Sequence, residues 1–259
     1  MKIYSLKAEN KKYDHPILFI HGLMQAAWVW DKYYMPYFQK QGFDVYSLDL
    51  TNHGNNQTNK SLKFLTIADY VMDVKEVLAE IGEDCILLGH SMGGMVVQKY
   101  LVNNKCHKAI LLAPVPPKGV INVVLTLAKR YPFRFLMSNL KMSLLPIVGD
   151  FKTCQNIFFG YTIDKDVLEE SYKKVQDDSF FTFLGIIFPF LKKAKYNVKT
   201  LVVGAADDNA IPSRTIEQTA KFHNGTHKVF EKMAHAMMLE KEWQKPADYI
   251  INWILSDKK

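Results

Sequence analysis

One serine of the chain lies in a context that could make it a nucleophile. Ser91 is the centre of the pentapeptide GHSMG, between an apolar run and an amphipathic segment. This pattern predicts a sharp turn from a strand into a helix, on which Gly89 and Gly93 avoid collisions with the neighbouring backbone. The amide of Met92, at the start of that helix, would point into the same cleft and could stabilise an oxyanion.

A serine hydroxyl is a poor nucleophile unless a base removes its proton, so the hypothesis also requires a histidine and an orienting carboxylate. Two aspartates, Asp207 and Asp208, directly follow the apolar run in TLVVGAADDNAIP. His235 follows the last predicted strand, in HKVFEKMAHAMMLE. Any one of these residues could belong to an ordinary turn, but together and in this order they indicate acyl-transfer chemistry.

Short apolar runs alternate with amphipathic segments, which predicts an α/β fold with a mostly parallel sheet and helices on both faces. The first fifteen residues are expected to form a surface strand or arm. The most regular helical pattern covers 66–81, with a capping box formed by Thr66 and Asp69 and a stop at Gly82. The further predicted strands are 17–20, 45–49, 85–89, 109–113, 201–204 and 228–230.

The alternation of strands and helices stops after Pro114. Residues 115–197 contain helix-like apolar stretches and no clear strand, and a structureless loop of that length is improbable within a compact domain. We therefore predict a helical cap at 115–197, inserted into a core formed by 1–114 and 198–259.

With these motifs the chain resembles enzymes of the α/β-hydrolase fold, especially serine esterases and lipases with a helical cap and the methylesterase and hydroxynitrile lyase group. The similarity covers nearly the whole chain outside the cap. It includes the segments LFIHGLMQAAWVW and VYSLDLTNHG besides those quoted above. Asn52 and Ala234 stand where the family usually has glycine.

The resemblance also implies roles for individual residues. The amide of Leu23 would join that of Met92 in the oxyanion hole, and His235 occupies the position of the family's catalytic base. Family members commonly carry an aspartate four residues before a proline in the late loop. This favours Asp208 over Asp207 as the acid, although chain position alone does not decide between them.

Composition restricts the other functional classes. The formal charge is +7, but the lysines are scattered and no basic run is interleaved with aromatic residues, so we expect no nucleic-acid partner. A solvated lysine-rich surface is the preferred interpretation, and contact with an anionic membrane surface is the less favoured one. Three cysteines without metal-type spacing and the lack of a dinucleotide or phosphate-binding glycine pattern predict no metal and no cofactor. The odd cysteine count and the polar amino terminus favour a cytoplasmic location.

The sequence thus predicts a serine hydrolase that cleaves a carboxylic ester through an acyl-serine. The apolar cap favours a substrate with a hydrophobic acyl or alcohol group, as in carboxylesterases and lipases. Alternatives are a methylesterase or hydroxynitrile lyase, a thioesterase, a hydrolase of carbon–carbon bonds, and a ligand receptor with slow turnover. The oligomeric state is left open.

Overall fold

The computed structural model describes residues 1–160 and 162–256, and a seven-stranded sheet forms its centre. The strand order is β1-β3-β2-β4-β5-β6-β7, with β1 antiparallel to β3 and all other neighbours parallel. The strands are β1 (Lys2–Leu6), β2 (Ile17–Ile20), β3 (Val45–Asp49), β4 (Ile86–His90), β5 (Lys108–Leu112), β6 (Thr200–Ala205) and β7 (Thr226–Phe230).

Helices cover both faces of this sheet. They are α1 (Trp28–Asp31), α2 (Tyr34–Lys40), α3 (Ile67–Ile81), α4 (Met92–Leu101), α5 (Ile121–Arg130), α6 (Pro132–Lys141), α7 (Leu145–Val148), α8 (Phe151–Cys154), α9 (Lys165–Lys174), α10 (Phe180–Ile187), α11 (Arg214–Phe222) and α12 (Gln244–Leu255). A short 3-10 helix (Leu62–Phe64) and a π-helix (Gln155–Phe159) complete the helical elements of the described residues. Alternate residues of β2 pack into two separate apolar clusters, with Ile17 and Phe19 on one face and Leu18 and Ile20 on the other. A sheet buried on both faces explains why the strands read as continuous apolar runs.

The predicted α/β-hydrolase fold is confirmed by this architecture. Predicted strands at 17–20 and 45–49 coincide with β2 and β3, and the remaining predicted strands overlap β4 to β7. The predicted capping box is present, because the backbone amide of Thr66 donates to Asp69 Oδ2 at 2.9 Å. Among the described residues, no helix is both long and apolar enough to span a membrane.

The parallel order brings the carboxyl ends of the strands to one edge of the sheet, where open α/β sheets usually bind ligands. The candidate site residues come shortly after four of these strand ends: Leu23 after β2, Ser91 after β4, Asp208 after β6 and His235 after β7. Helices α5 to α10 lie between β5 and β6 along the chain, within the region predicted as the cap. The boundaries of a separate cap at 115–197 stay a prediction.

Candidate active site

Ser91 lies on a strained turn between β4 and α4. Its φ and ψ are 53° and −116°, and its amide donates to Leu112 O at 2.9 Å. A Cβ atom on Gly89 would lie 2.4 Å from Gly93 O, and one on Gly93 would lie 2.4 Å from Ile20 O. Gly89 is therefore needed for the close approach of β4 to the start of α4, and Gly93 for the close approach of α4 to β2. The turn holds Ser91 in a conformation that non-glycine residues rarely adopt.

His235 and Asp208 form a buried hydrogen bond. His235 Nδ1 lies 2.8 Å from Asp208 Oδ2, and the two residues are 1% and 9% exposed. The other carboxylate oxygen, Oδ1, accepts from the amides of Ala210 and Ile211, both at 2.7 Å. These two amides fix the carboxylate so that its free oxygen faces the imidazole. The structure thus brings Asp208 to the histidine, whereas the side chain of Asp207 is exposed to solvent.

A second histidine, His90, contacts the loop that carries His235. His90 Nε2 lies 3.0 Å from His235 O, and His90 Nδ1 lies 3.2 Å from Gln25 Oε1. Gln25 Oε1 also accepts from the amide of Gly22, which belongs to the loop after β2. Burial and the proximity of His235 lower the pKa of His90 well below its ordinary value, so His90 is neutral. His90 therefore lies between the loop of His235 and the loop after β2, and as a neutral imidazole it can donate to only one of the two oxygens.

Two backbone amides are available for an oxyanion. In the loop after β2, the amide of Gly22 donates to Gln25, and the amide of Met24 donates to Asp178. Between them, the amide of Leu23 has no acceptor among the described residues, and the same holds for the amide of Met92 at the start of α4. Unpaired amides beside a nucleophile are what an oxyanion hole requires.

An apolar cavity of about 100 Å³ connects these groups. Ser91 and His235 are its polar side chains, and Leu23 lies at the same cavity. Its wall is formed by side chains from α5, α7, the π-helix and α10, chiefly Val123, Val124, Leu127, Ile147, Val148, Ile157, Phe158, Phe183 and Ile186. Such a wall favours a hydrophobic ligand.

A buried pair that the sequence did not reveal lies beside the loop after β2. His53 Nε2 is 3.0 Å from Asp178 Oδ2, and both side chains are fully buried. Asp178 also accepts from the amides of Met24 and Ser179, each at 2.6 Å. Burial opposes ionisation of Asp178, but His53 and these amides outweigh it and lower the pKa of this carboxyl. The only sequence signal was His53 in the TNHG turn; nothing local marks Asp178 as its partner.

The turn that carries His53 also explains a departure from the family pattern. Asn52 has a φ of 61°, in the left-handed region. Asparagine adopts this region more readily than most residues, so it can replace the glycine that is usual there.

One group of the described residues has the composition of a metal site. His15, Asp84 and His107 place a possible ligand atom each within 4.8 Å of the others. However, the two imidazole rings stack at 3.4 Å with planes 13° apart, so the nitrogen lone pairs do not converge on one ion. The group lies before β2, β4 and β5, at the opposite edge of the sheet from Ser91.

Comparison with known proteins supports the fold described above. Residues 15–242 match the family model described as the alpha/beta hydrolase fold. Salicylic acid-binding protein 2 of Nicotiana tabacum is 28% identical over 78% of this chain and 82% of its own. The putative esterase/lipase 2 of Mycoplasma pneumoniae is 25% identical over 76% and 80%.

Among solved structures, an esterase from Exiguobacterium antarcticum superposes with a TM-score of 0.75 at 19% identity, covering 98% of this chain and 95% of the other. At that identity the likeness concerns the fold alone. Together with the family match over most of the sequence, these findings establish that the chain belongs to the α/β-hydrolase fold family and has relatives of the esterase and lipase type.

Proposed function

We propose that this protein is a serine hydrolase, of the carboxylesterase and lipase type, that cleaves an ester with a hydrophobic acyl or alcohol group. The observation that carries the proposal is the buried Asp208–His235 hydrogen bond at the cavity that Ser91 also lines. A base held by a carboxylate, a serine on a strained turn and two unpaired amides form the set that acyl transfer needs.

In the proposed mechanism, His235 Nε2 takes the proton of Ser91 as the serine oxygen attacks the ester carbonyl carbon. The amides of Leu23 and Met92 bind the resulting oxyanion, and Asp208 stabilises the protonated imidazole. His235 then gives this proton to the leaving alcohol, and an acyl-serine remains. Water attacks the acyl-serine while His235 takes its proton, His235 then returns this proton to Ser91 Oγ as the acyl–oxygen bond breaks, and the carboxylic acid is released.

A second candidate is a ligand-binding protein with slow turnover. The specific observation in its favour is that the Nicotiana tabacum relative is named for binding salicylic acid. The two candidates differ after the first turnover, because an enzyme continues and a receptor stalls once one equivalent of alcohol is released.

The test is the hydrolysis of p-nitrophenyl esters of increasing acyl length by the wild type and by Ser91→Ala. We expect sustained turnover that increases with acyl length and is lost in the variant. Stoichiometric release without turnover would favour the receptor. Equal rates in the two proteins would refute the proposed nucleophile.

We also propose a cytoplasmic location. This proposal is supported by the three cysteines, Cys85, Cys106 and Cys154, which form no disulfide, as is usual in a reducing compartment.

A further inference from the structure

The excess positive charge of the chain is concentrated in two segments. Residues 113–149, which contain α5 to α7, have five lysines and arginines and no acidic residue. Residues 179–206 have four lysines and no acidic residue, but these lysines follow α10, and Lys199 directly precedes β6, at the opposite edge of the sheet from Ser91. Because the formal charge of the whole chain is +7, the remainder of the chain is slightly acidic. The charge is therefore distributed unevenly along the chain, and the cations of 113–149 lie in the segment that carries α6.

Helix α6, in the first of these segments, exposes a row of large apolar side chains. Phe133, Leu136 and Leu140 are 72%, 53% and 70% exposed. Their spacing of three and four residues places them along one side of the helix. Exposed apolar rows of this kind indicate a surface that contacts another protein or a membrane.

The apolar row continues across neighbouring elements. Lys63 Nζ donates to Lys141 O at 3.0 Å and so joins the 3-10 helix (Leu62–Phe64) to the end of α6. The exposed ring of Phe64 packs edge-on against Phe181 of α10, with centroids 5.4 Å apart. Leu184, one turn further along α10, is 44% exposed. We call this surface the cap patch: Phe64, Phe133, Leu136, Leu140, Phe181 and Leu184, bordered by Lys63 and Lys141.

We propose that the cap patch docks the protein on an anionic phospholipid bilayer. Apolar side chains that enter the headgroup boundary, with lysines around them that meet the negative surface, are the combination by which amphipathic surfaces bind such membranes. A second copy of the chain fits less well, because a twofold contact through this patch would bring the same lysines against each other.

The cap patch lies on or beside helices that also line the cavity, so docking would bring the cavity close to membrane lipids. The helices that carry or adjoin it also line the cavity from inside, through Val124 and Leu127 of α5 and Phe183 and Ile186 of α10. A lipid ester that leaves the bilayer beneath the patch would meet these apolar side chains before reaching Ser91. This assignment of the substrate as a membrane lipid ester rests on the proposed function, whereas the docking itself does not.

The first test is co-sedimentation with phosphatidylcholine vesicles, with and without phosphatidylglycerol. We expect binding to the anionic vesicles only, and its loss in high salt because charges are then screened. Lys141→Gln should weaken binding about fivefold, the equivalent of roughly 1 kcal/mol for one cation near the surface. Lys105→Gln is the matched control, since this exposed lysine precedes β5 at the opposite edge of the sheet, and it should bind as the wild type does.

The apolar contribution is tested with Leu136→Ser/Leu140→Ser. This variant should weaken vesicle binding at least about tenfold, because two exposed leucines lose their burial in the bilayer. Neither leucine lines the cavity, so hydrolysis of a short soluble ester should be unchanged. Ser91→Ala should bind vesicles like the wild type, which separates docking from catalysis.

Several results would overturn the docking proposal. These are a failure of the wild type to bind anionic vesicles at low salt, or equal losses in Lys141→Gln and Lys105→Gln. A dimer in light scattering that Leu136→Ser/Leu140→Ser converts to a monomer, without vesicle binding, would assign the patch to a second copy instead. If vesicles bind but their ester lipids are not cleaved while soluble esters are, the substrate assignment is wrong.

Discussion

Asp178→Asn should slow ester hydrolysis although this residue does not line the cavity. Its Oδ2 accepts from both the amide of Met24, at 2.6 Å, and His53 Nε2, at 3.0 Å, while Oδ1 accepts from the amide of Ser179 at 2.6 Å. Asparagine has one acceptor oxygen, so in either orientation its NH₂ group faces a buried N–H donor. Met24 directly follows Leu23, whose amide is the proposed oxyanion donor. In the orientation that turns the NH₂ group toward Met24, the amide of Met24 is displaced, and the neighbouring donor of Leu23 is displaced with it.

The size of the effect follows from these contacts. One unsatisfied buried donor costs about 1–3 kcal/mol of stability, and the lost ion pair with His53 brings the total to roughly 3–5 kcal/mol. Removal of an oxyanion donor costs about 10²–10³ in kcat, so a displaced donor should cost about 10 to 100-fold. KM should change less, because the apolar cavity wall that binds the substrate is untouched.

The pH dependence of stability provides a second readout. The lowered pKa of Asp178 means that the pair loses stability as pH falls through that value. Burial opposes protonation of His53, but Asp178 outweighs it and raises the pKa of His53, so the pair also loses stability as pH rises through that value. In the wild type, the contribution of the pair to the free energy of unfolding should therefore be largest between the pKa of Asp178 and the pKa of His53. Asp178→Asn should lack both the decline at lower pH and the decline at higher pH that this pair causes.

The assay is kcat and KM for a soluble p-nitrophenyl ester, with denaturant unfolding across the same pH range. Asp177→Asn is the matched control, because Asp177 accepts both of its amide hydrogen bonds on Oδ1, which asparagine retains. It should resemble the wild type. Wild-type kcat in Asp178→Asn, or an equal loss of kcat in both variants, would refute the reasoning.

Two further predictions concern the loop that carries His235 and the loop that carries Asp208. Burial raises the pKa of Glu240 from 4.5 to about 7, so the folded chain keeps a proton that the unfolded chain releases. The free energy of unfolding should fall by about 3 kcal/mol as pH rises through this window, and thermal unfolding of Glu240→Gln should lack that loss. Asp208→Asn should lower kcat by about 10³–10⁴, because His235 then loses its orienting carboxylate. Asp207→Asn should stay near the wild type in the same assay, and comparable losses in the two variants would contradict the assignment of Asp208.

Short-range patterns of the sequence predicted the turn at Ser91 and the strands. The turn has a local signature, because both glycines are required by backbone approach, and the strands have continuous apolar runs. The choice between Asp207 and Asp208 needed coordinates, since it depends on which side chain the amides of Ala210 and Ile211 hold. The partner of His53 could not be predicted, because Asp178 lies far away in sequence and has no motif of its own.

The segment between β5 and β6 does more than cover the cavity, because it contacts the loops that carry the candidate site. Asp178 accepts from the amide of Met24 in the loop after β2. The carbonyl of Phe158 accepts from the amide of Ala236, beside His235, at 2.8 Å.

The loop after β6, which carries Asp208, has a similar contact, since the Asn209 side chain donates to the carbonyl of Asn156 at 2.8 Å. Phe158 and Asn156 both belong to the π-helix, whose wide turn is a feature often found at functional sites. The same segment therefore lines the apolar cavity and contacts the loops that carry the candidate site. Substitutions in the π-helix that alter substrate preference should also alter kcat, because Phe158 lines the cavity and its carbonyl holds the loop of His235.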